Sequence, residues 1–400
     1  MQAPAILHRL VMQVSSSMHS TRRTALEALV WAAVQSQALT VTGLGRALPG
    51  PAREKHCIKR ADRLLSNAHL QSERPALYAA LARNLVGQQR HPVIVIDWSD
   101  LDEVKRHQVL RASLAVAGRA LTLYEEVHGR KTAVKRRTQQ RFLWRLRDLL
   151  PAGCQPVLVT DAGFRTPWFR DVEALGWYWV ARIRHRHLLQ WEPGGDWQPA
   201  KALYARALSQ PRALGEVRLT RNTPHRCRLV LYRGKAQGRH RLTRHGRRAR
   251  SRHSEKHARA HREPWLLATN LPANPWLAKK VVRLYRARMQ IEEAFRDLKS
   301  RRFGIGLELH RTCETARLAV LLLIGALALL LLWLLGTAAQ ARYLHRHYQA
   351  NTVRNKVVLS SIFLGLRICK RRCDPFSLAE LTAAWQLIGR LNAQCWGSAH

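Results

Sequence analysis

Two aspartates stand at the ends of apolar segments that the sequence predicts to be buried β-strands. Asp97 ends the segment VIVID, and Asp161 ends the segment VLVTD. An ionised carboxylate beside an apolar strand is costly unless a cation or a hydrogen-bond donor neutralises it. A divalent cation is one solution, because functional sites in open α/β sheets favour the carboxyl ends of strands. A helix cap or an ion pair with one of the many arginines is the alternative, and Asp100 competes with Asp97 for the same role.

A long helix predicted from about Pro275 to Ser300 brings four more polar side chains to one edge. These are Tyr285, Arg288, Glu292 and Lys299. At about 100° per residue, they lie within roughly 60° of one another. A neighbouring apolar stripe would seat the helix on a sheet. An ordinary charged helix face explains the same spacing, so geometry alone leaves both interpretations open.

The spacing Tyr285-x2-Arg288-x3-Glu292-x6-Lys299 matches the YREK signature of bacterial insertion-sequence DDE transposases. The chain resembles the cut-and-paste group of this family, and most closely the branch that includes the transposase of the tetracycline-resistance composite transposon. The resemblance covers nearly the whole chain, in order and spacing. Its segments include LTVTGLGRALPGPAREKHCIKRADRLL, PVIVIDWSD, VTDAGFRTPWF, GWYWVARIR, PWLLATNLP and MQIEEAFRDLKS.

The resemblance implies a metal-binding catalytic triad of Asp97, Asp161 and Glu292, and it favours Asp97 over Asp100. Two Mg²⁺ ions, for which Mn²⁺ can substitute, would be held by these carboxylates. Mg²⁺ prefers hard carboxylate oxygens, and two such ions can activate a water and stabilise a leaving oxygen.

The same resemblance assigns DNA contacts to the other signature positions. Tyr285, Arg288 and Lys299 would bind phosphates, and a guanidinium can do so bidentately. Trp265, in PWLLATN, matches approximately a tryptophan on which the family stacks a flipped base. A core tryptophan is the alternative for Trp265, because it lies in a strand pattern.

The implied function is cut-and-paste DNA transposition. The enzyme would bind the terminal inverted repeats of its own element, cleave, form a hairpin and transfer the strand to target DNA. A homodimer would join two ends in a synaptic complex. The alternatives are a decayed or domesticated copy that only binds DNA, and a metal-dependent nuclease without strand transfer.

The composition agrees with a DNA partner. The 400 residues hold 68 Lys and Arg against 26 Asp and Glu, a net charge of +42. With 46 % hydrophobic residues, the chain is too apolar for a disordered basic tail, and this composition predicts a folded protein. The net positive charge predicts a polyanionic partner. The tract Arg233–Arg262 is the most basic segment, with twelve Lys and Arg and one acid.

The alternation of predicted strands and helices indicates an α/β fold, flanked by helical regions. The resemblance implies that the α/β part is a ribonuclease H-like core interrupted by a β-rich insertion. Pattern and resemblance together divide the chain into five segments. They are a helical DNA-binding domain at 1–85, the first core part at 86–186, the insertion with its basic loop at 187–263, the second core part at 264–345 and a helical C-terminal region at 346–400.

One apolar segment, Leu318–Gly336, is long enough to span a bilayer. A buried core helix is the favoured interpretation, because the flanking sequence is typical of one DNA-facing protein. The N-terminal residues lack the pattern of a signal peptide, and the seven scattered cysteines predict reduced thiols. We therefore expect no membrane partner and a cytoplasmic, nucleoid-associated location.

Overall fold

The structure is a computed structural model of the 400-residue chain. It describes residues 3–12, 18–133, 135–184, 187–192, 194–235, 243, 247–252, 254–255, 263–353, 356–371 and 376–397. Much of the basic tract Arg233–Arg262 lies outside these residues. The chain forms two compact units, the first from Met1–Pro156 with Ala287–His400 and the second from Val157–Arg286.

Thirteen α-helices are numbered here along the described residues. They are α1 Ala3–Met12, α2 Ser20–Ser36, α3 Val41–Arg46, α4 Glu54–Leu65, α5 Ala68–Val86, α6 Arg130–Ala133, α7 Arg136–Leu149, α8 Thr166–Ala174, α9 Leu277–Ala287, α10 Met289–Lys299, α11 Thr315–Ala341, α12 Ser361–Arg371 and α13 Leu378–Trp396. Short 3₁₀ helices span Ala200–Arg206, Leu307–Leu309 and Leu344–His347. The helices α1 to α5 lie in the part of the chain for which the sequence predicts a helical domain.

Ten strands complete the described elements. They are β1 Val93–Asp100, β2 His107–Val116, β3 Arg119–Gly129, β4 Val157–Thr160, β5 Tyr178–Ile183, β6 Leu188–Trp191, β7 Gln198–Pro199, β8 Arg212–Leu219, β9 His225–Tyr232 and β10 Trp265–Thr269. Helices and strands together make a mixed α/β protein, as the sequence predicts.

In the first unit, β1, β2 and β3 pair as an antiparallel meander. The β2–β3 turn places Ala117 and Gly118 at positive φ, 28° and 87°, which suits a tight hairpin. The sequence interpretation that the first strand ends at Asp97 is wrong, because β1 keeps its pairing with β2 through Asp100. What changes at Asp97 is burial: the four preceding residues of β1 are buried, and the four from Asp97 to Asp100 are half-buried.

The second unit carries seven strands in the order β4-β5-β10-β9-β8-β6-β7. The pair β4 and β5 is parallel and is connected through α8, whereas the remaining pairs are antiparallel. The strands β6 to β9 fall in the region 187–263, for which the sequence predicts a β-rich segment. That part of the prediction is confirmed for the described residues.

The predicted single helix from Pro275 to Ser300 is wrong in one respect, because it is two helices that meet at Arg288. Arg288 keeps right-handed helical angles, φ −55° and ψ −35°. The amide of Ile291 donates to the Arg288 carbonyl at 3.2 Å, a three-residue spacing. This tighter turn interrupts the regular four-residue ladder of an α-helix.

The apolar segment forms the centre of α11, which is long and apolar enough to cross a membrane but whose most apolar stretch is entirely buried inside the protein. Two glycines allow α11 to lie against α12. A Cβ at Gly336 would be 1.7 Å from the Ser361 carbonyl oxygen, and one at Gly365 would be 2.2 Å from that of Leu332. The burial and the close backbone contact identify α11 as a core helix.

Candidate active site

Asp97 lies where β1 passes from the buried core to a partly accessible edge. Its Oδ1 accepts a hydrogen bond from the Trp98 amide at 2.8 Å, which fixes one side of the carboxylate. Its Oδ2 lies 3.3 Å from the Arg288 guanidinium. Side chains alternate along a strand, so Asp97 and Ser99 share one face of β1.

Glu292 lies in the first turn of α10, and Arg288 donates to its Oε1 at 2.5 Å. The four-residue spacing places these side chains on adjacent turns of a helix. The Arg288 side chain is 11 % exposed, whereas that of Glu292 is 45 % exposed. The structure therefore brings Asp97 and Glu292 together on a single, largely buried guanidinium.

Lys299 ends α10 and donates from Nζ to Ser99 Oγ at 2.6 Å. Burial, together with the positive charge of Arg111, lowers the pKa of Lys299 to about 8. Arg288 and Lys299 thus connect the two ends of α10 to the β1 face that carries Asp97.

Asp100, the competing acid, takes a different environment. It points to the opposite face of β1 from Asp97. It accepts a hydrogen bond from Gln108 at 2.8 Å and pairs with Lys105 at 3.1 Å. Burial opposes ionisation, but these two partners dominate and lower the pKa of Asp100.

A buried charge pair lies beside Asp97 and was not predicted. Arg111 is opposite Asp97 in β2, and Glu125 is opposite Arg111 in β3. The Arg111 Nε donates to Glu125 at 2.8 Å, and both side chains are almost completely buried. The guanidinium also lies 4.8 Å from the ring centre of Phe295 in α10, and Tyr78 donates to Glu125 at 3.0 Å.

The sequence signal for this pair was a charged residue within each of two neighbouring predicted strands, Arg111 in QVLRASLAV and Glu125 in RALTLYEEV. A buried pair ties the meander to α10 and α5 through charge and ring contacts. It therefore contributes to the position of β1 relative to α10.

Asp161 belongs to the second unit and follows β4 directly. Its Oδ1 accepts a hydrogen bond from the Gly163 amide at 2.8 Å. A Cβ at Gly163 would lie 3.0 Å from the same oxygen, closer than an ordinary contact. The turn after β4 therefore holds the carboxylate, and a side chain at position 163 would press on it.

Trp265 and Tyr285 also belong to the second unit, where their rings meet edge to face at 4.9 Å. The Trp265 ring is 5.8 Å from that of Tyr232, whose hydroxyl accepts a hydrogen bond from Arg286 at 2.7 Å. Tyr285 is 3 % exposed, and Trp265 is half-buried. These rings form an aromatic cluster with a basic side chain at its margin.

The metal-binding capacity of these residues follows from their oxygen donors. Asp97 and Glu292 already converge on one cation, Arg288, and carboxylate oxygens are the ligands that hard divalent ions prefer. Among the described residues, no three His, Cys, Asp or Glu side chains gather closely enough to hold a metal ion. The pair fits a divalent ion once Arg288 releases the two carboxylates.

Comparison with known proteins identifies the family of the chain. Residues 88–331, more than half of the chain, match the family described as the transposase DDE domain, whose members use divalent metal ions. Asp97, Asp161 and Glu292 all fall within the matched residues. No curated protein matches the chain. The protein therefore belongs to the DDE-domain transposases, enzymes that cleave phosphodiester bonds in DNA and transfer the strands.

Proposed function

We propose that this enzyme is a cut-and-paste transposase of the YREK group, closest to the branch of the tetracycline-resistance composite transposon. It binds the terminal inverted repeats of its own element, cleaves them, passes through a hairpin and joins the ends to target DNA. Its core is ribonuclease H-like, as the DDE family implies, and we infer that a β-rich insertion interrupts this core. The observation that carries the proposal is the shared contact of Asp97 and Glu292 with Arg288.

Asp97, Asp161 and Glu292 are the proposed catalytic and metal-binding carboxylates. Bound Mg²⁺ ions, or Mn²⁺ in their place, would supply the activation of the attacking oxygen and the stabilisation of the leaving oxygen. The chain keeps these three acids rigid: a backbone amide holds Asp97, another holds Asp161, and a neighbouring guanidinium holds Glu292.

Arg288, Lys299 and Tyr285 are the proposed DNA contacts of the signature. In the free protein Arg288 neutralises two carboxylates, and in the complex its fork-shaped donors suit a phosphate. Lys299 adds a point charge beside Ser99. Trp265, at the start of β10, is the proposed stacking surface for a flipped base, which is worth about 1–3 kcal/mol for a single base.

The N-terminal segment, residues 1–85, is the proposed end-binding domain. Its helix α4 buries one face and exposes four basic residues on the other. They are Lys55, Lys59, Arg60 and Arg63. A Cβ at Gly45 would lie 2.5 Å from the Ile58 Cα, so α3 and α4 pack closely and present this face as a unit. Such a face suits a phosphate backbone.

The remaining domain assignments complete the proposal. Segments 86–186 and 264–345 form the catalytic core, 187–263 the insertion and 346–400 a helical C-terminal region. We infer a homodimer that joins two element ends, and a cytoplasmic location at the nucleoid. The net charge of +42 supports a DNA partner throughout.

The test replaces Glu292 by Gln and measures cleavage of a DNA carrying the element end. The variant Glu292→Gln should lose cleavage while it keeps end binding, because the carboxylate is lost but the shape is kept. Glu293→Gln is the matched control, since that neighbouring carboxylate pairs with Arg296 rather than with Arg288. Continued cleavage by Glu292→Gln would contradict the assignment.

A second assay separates the alternatives. A nuclease without strand transfer would give nicked ends but neither hairpins nor joined products, and a decayed DNA-binding protein would give none of them. Denaturing gels of the reaction products distinguish all three, and we expect hairpins followed by joined strands.

A further inference from the structure

The first unit contains a cavity of about 610 Å³ that is not lined by Asp97 or Glu292. Its wall is formed by the β2–β3 turn, by the end of α10, by the segment after it and by residues 357–361 with the start of α12. The volume falls within the roughly 300–1,000 Å³ that ligand sites occupy. Arg296, which lines the cavity, follows Glu292 by one turn of α10, a rise of about 6 Å. The cavity therefore adjoins the proposed cleavage centre along one helix.

Phe303 is an aromatic ring at this cavity that is 41 % exposed. The guanidinium carbons of Arg296 and Arg302 lie 5.5 Å and 5.1 Å from its ring centre. An exposed ring near two guanidiniums, of which that of Arg296 lines the cavity, combines a stacking surface with charges that suit a phosphate. This is the combination by which proteins bind single-stranded nucleic acid.

The backbone presents Phe303 on a rigid turn. The Gly304 amide donates to the Ser300 carbonyl and the Ile305 amide to the Asp297 carbonyl, each at 2.9 Å. A Cβ at Gly304 would lie 1.6 Å from that Asp297 oxygen, so only glycine allows the turn. A pre-ordered ring loses little conformational freedom when a base stacks on it.

The other polar groups of the cavity suit the edge of a base. Asp297 is almost fully buried and pairs with Arg119 at 2.5 Å. Burial raises the pKa of Asp297 to about 6, although Arg119 acts against this. A buried carboxylate can accept a hydrogen bond from the amino group of a base.

We propose that this cavity binds an unpaired nucleotide of a DNA strand, with its base on Phe303 and its phosphate beside Arg296 and Arg302. One guanidinium turns from the ring to the phosphate as the base takes its place. The inference rests on the proposed function, since it adds a site for single-stranded DNA next to the cleavage centre. This site uses residues of the first unit and is separate from Trp265, which belongs to the second.

The test measures binding of a fluorescent oligo(dC) strand, whose bases carry the amino group that Asp297 can accept from, to the full chain in a chelator, by anisotropy over a range of salt concentrations. Phe303→Ala should weaken binding roughly five- to 150-fold, which is the effect of losing one stacked base. The dependence on salt should keep its slope, because no phosphate contact is removed. Phe303→Tyr and Phe303→Trp should bind as the wild type does.

Trp144→Ala is the matched control, because Trp144 is a 50 % exposed aromatic ring of α7 outside the cavity. Equal binding by wild type, Phe303→Ala and Trp144→Ala would overturn the proposal. If Phe303→Ala fails to fold, Phe303→Leu carries the same comparison. Photocrosslinking of the wild type to an iododeoxyuridine strand should label the peptide containing Phe303, and labelling elsewhere alone would also overturn it.

Failure here is distinguishable from failure of the proposed function. Binding in chelator does not depend on cleavage, so the cavity can be refuted while Glu292→Gln still abolishes cutting. Conversely, if Glu292→Gln still cleaves DNA while Phe303→Ala weakens binding, the single-strand site stands and the proposed cleavage centre does not.

Discussion

Lys299 donates from Nζ to Ser99 Oγ at 2.6 Å. Ser99 follows Asp97 by two residues in β1. The contact joins the end of α10 to β1, and Arg288 makes the corresponding contact at the start of α10. Two basic side chains eleven residues apart thus fix the helix that carries Glu292 against the strand that carries Asp97. The same two side chains are proposed DNA contacts, so positioning and DNA binding depend on shared groups.

Because the pKa of Lys299 is lowered to about 8, we expect DNA affinity to depend on pH. A bound phosphate favours the charged form, so DNA affinity should fall as pH rises past 8 and the free ammonium loses its proton. Lys299→Arg should remove this fall, because the guanidinium stays charged. Affinity measured from pH 7 to 9.5 checks this, with the 66 % exposed Lys105→Arg as control.

The protonation of Lys299 should also affect the free energy of unfolding, which should rise with pH where DNA affinity falls. Between pH 8 and the ordinary lysine pKa of 10.5, the unfolded chain binds more protons at this residue than the folded chain. The contribution of Lys299 to stability therefore rises with pH in that window. Lys299→Met should lack this rise in urea unfolding, and an unchanged pH dependence would refute the shift.

Gly163 should be required for the position of Asp161. Gly163→Ala places a methyl group 3.0 Å from the Asp161 Oδ1 and should move the carboxylate. We expect cleavage to fall by up to about tenfold, because the carboxylate has to move by less than the roughly 1 Å that can cost about 100-fold. Gly194→Ala is the control in the same unit, since nothing lies within 4 Å of its added Cβ. Equal cleavage rates for the two variants would contradict the prediction.

The buried pair of Arg111 and Glu125 should be sensitive to the loss of either partner. Arg111→Met or Glu125→Gln leaves the other group buried without its counter-charge, at a cost of about 3–5 kcal/mol. Replacing both together, as Arg111→Met with Glu125→Leu, should recover most of the loss. Urea unfolding measures the three variants, and two single variants as stable as the wild type would refute the prediction.

The packing of α11 on α12 should tolerate no added methyl group. Gly336→Ala brings a Cβ to 1.7 Å from the Ser361 carbonyl oxygen and should cost about 1–3 kcal/mol or more. Gly389→Ala in α13 is the control, because its nearest atom is 3.8 Å away. That control should stabilise the helix by about 0.5–1 kcal/mol, since glycine is the poorer helix former. Thermal unfolding of both variants tests the pair.

Local patterns in the sequence predicted much of this protein. Apolar runs predicted β1, β4 and β10, helical periodicity predicted the N-terminal region, and the spacing from Tyr285 to Lys299 predicted a helical edge of polar groups. These patterns succeed because burial and backbone periodicity act over a few residues. The same patterns placed the end of β1 three residues too early and did not predict the break at Arg288. Strand pairing and a single tight turn depend on neighbouring elements and do not alter the local pattern of apolar residues.

The sequence by itself determined which residue types are present: an excess of positive charge, few acids, and carboxylates beside apolar strands. Only the tertiary structure decided which of them meet. The contact of Asp97 with Arg288 joins positions 191 residues apart, and that of Lys299 with Ser99 joins positions 200 apart. The burial of Arg111 against Glu125 depends likewise on the register of the meander. Such contacts arise from the packing of whole elements, which no local pattern encodes.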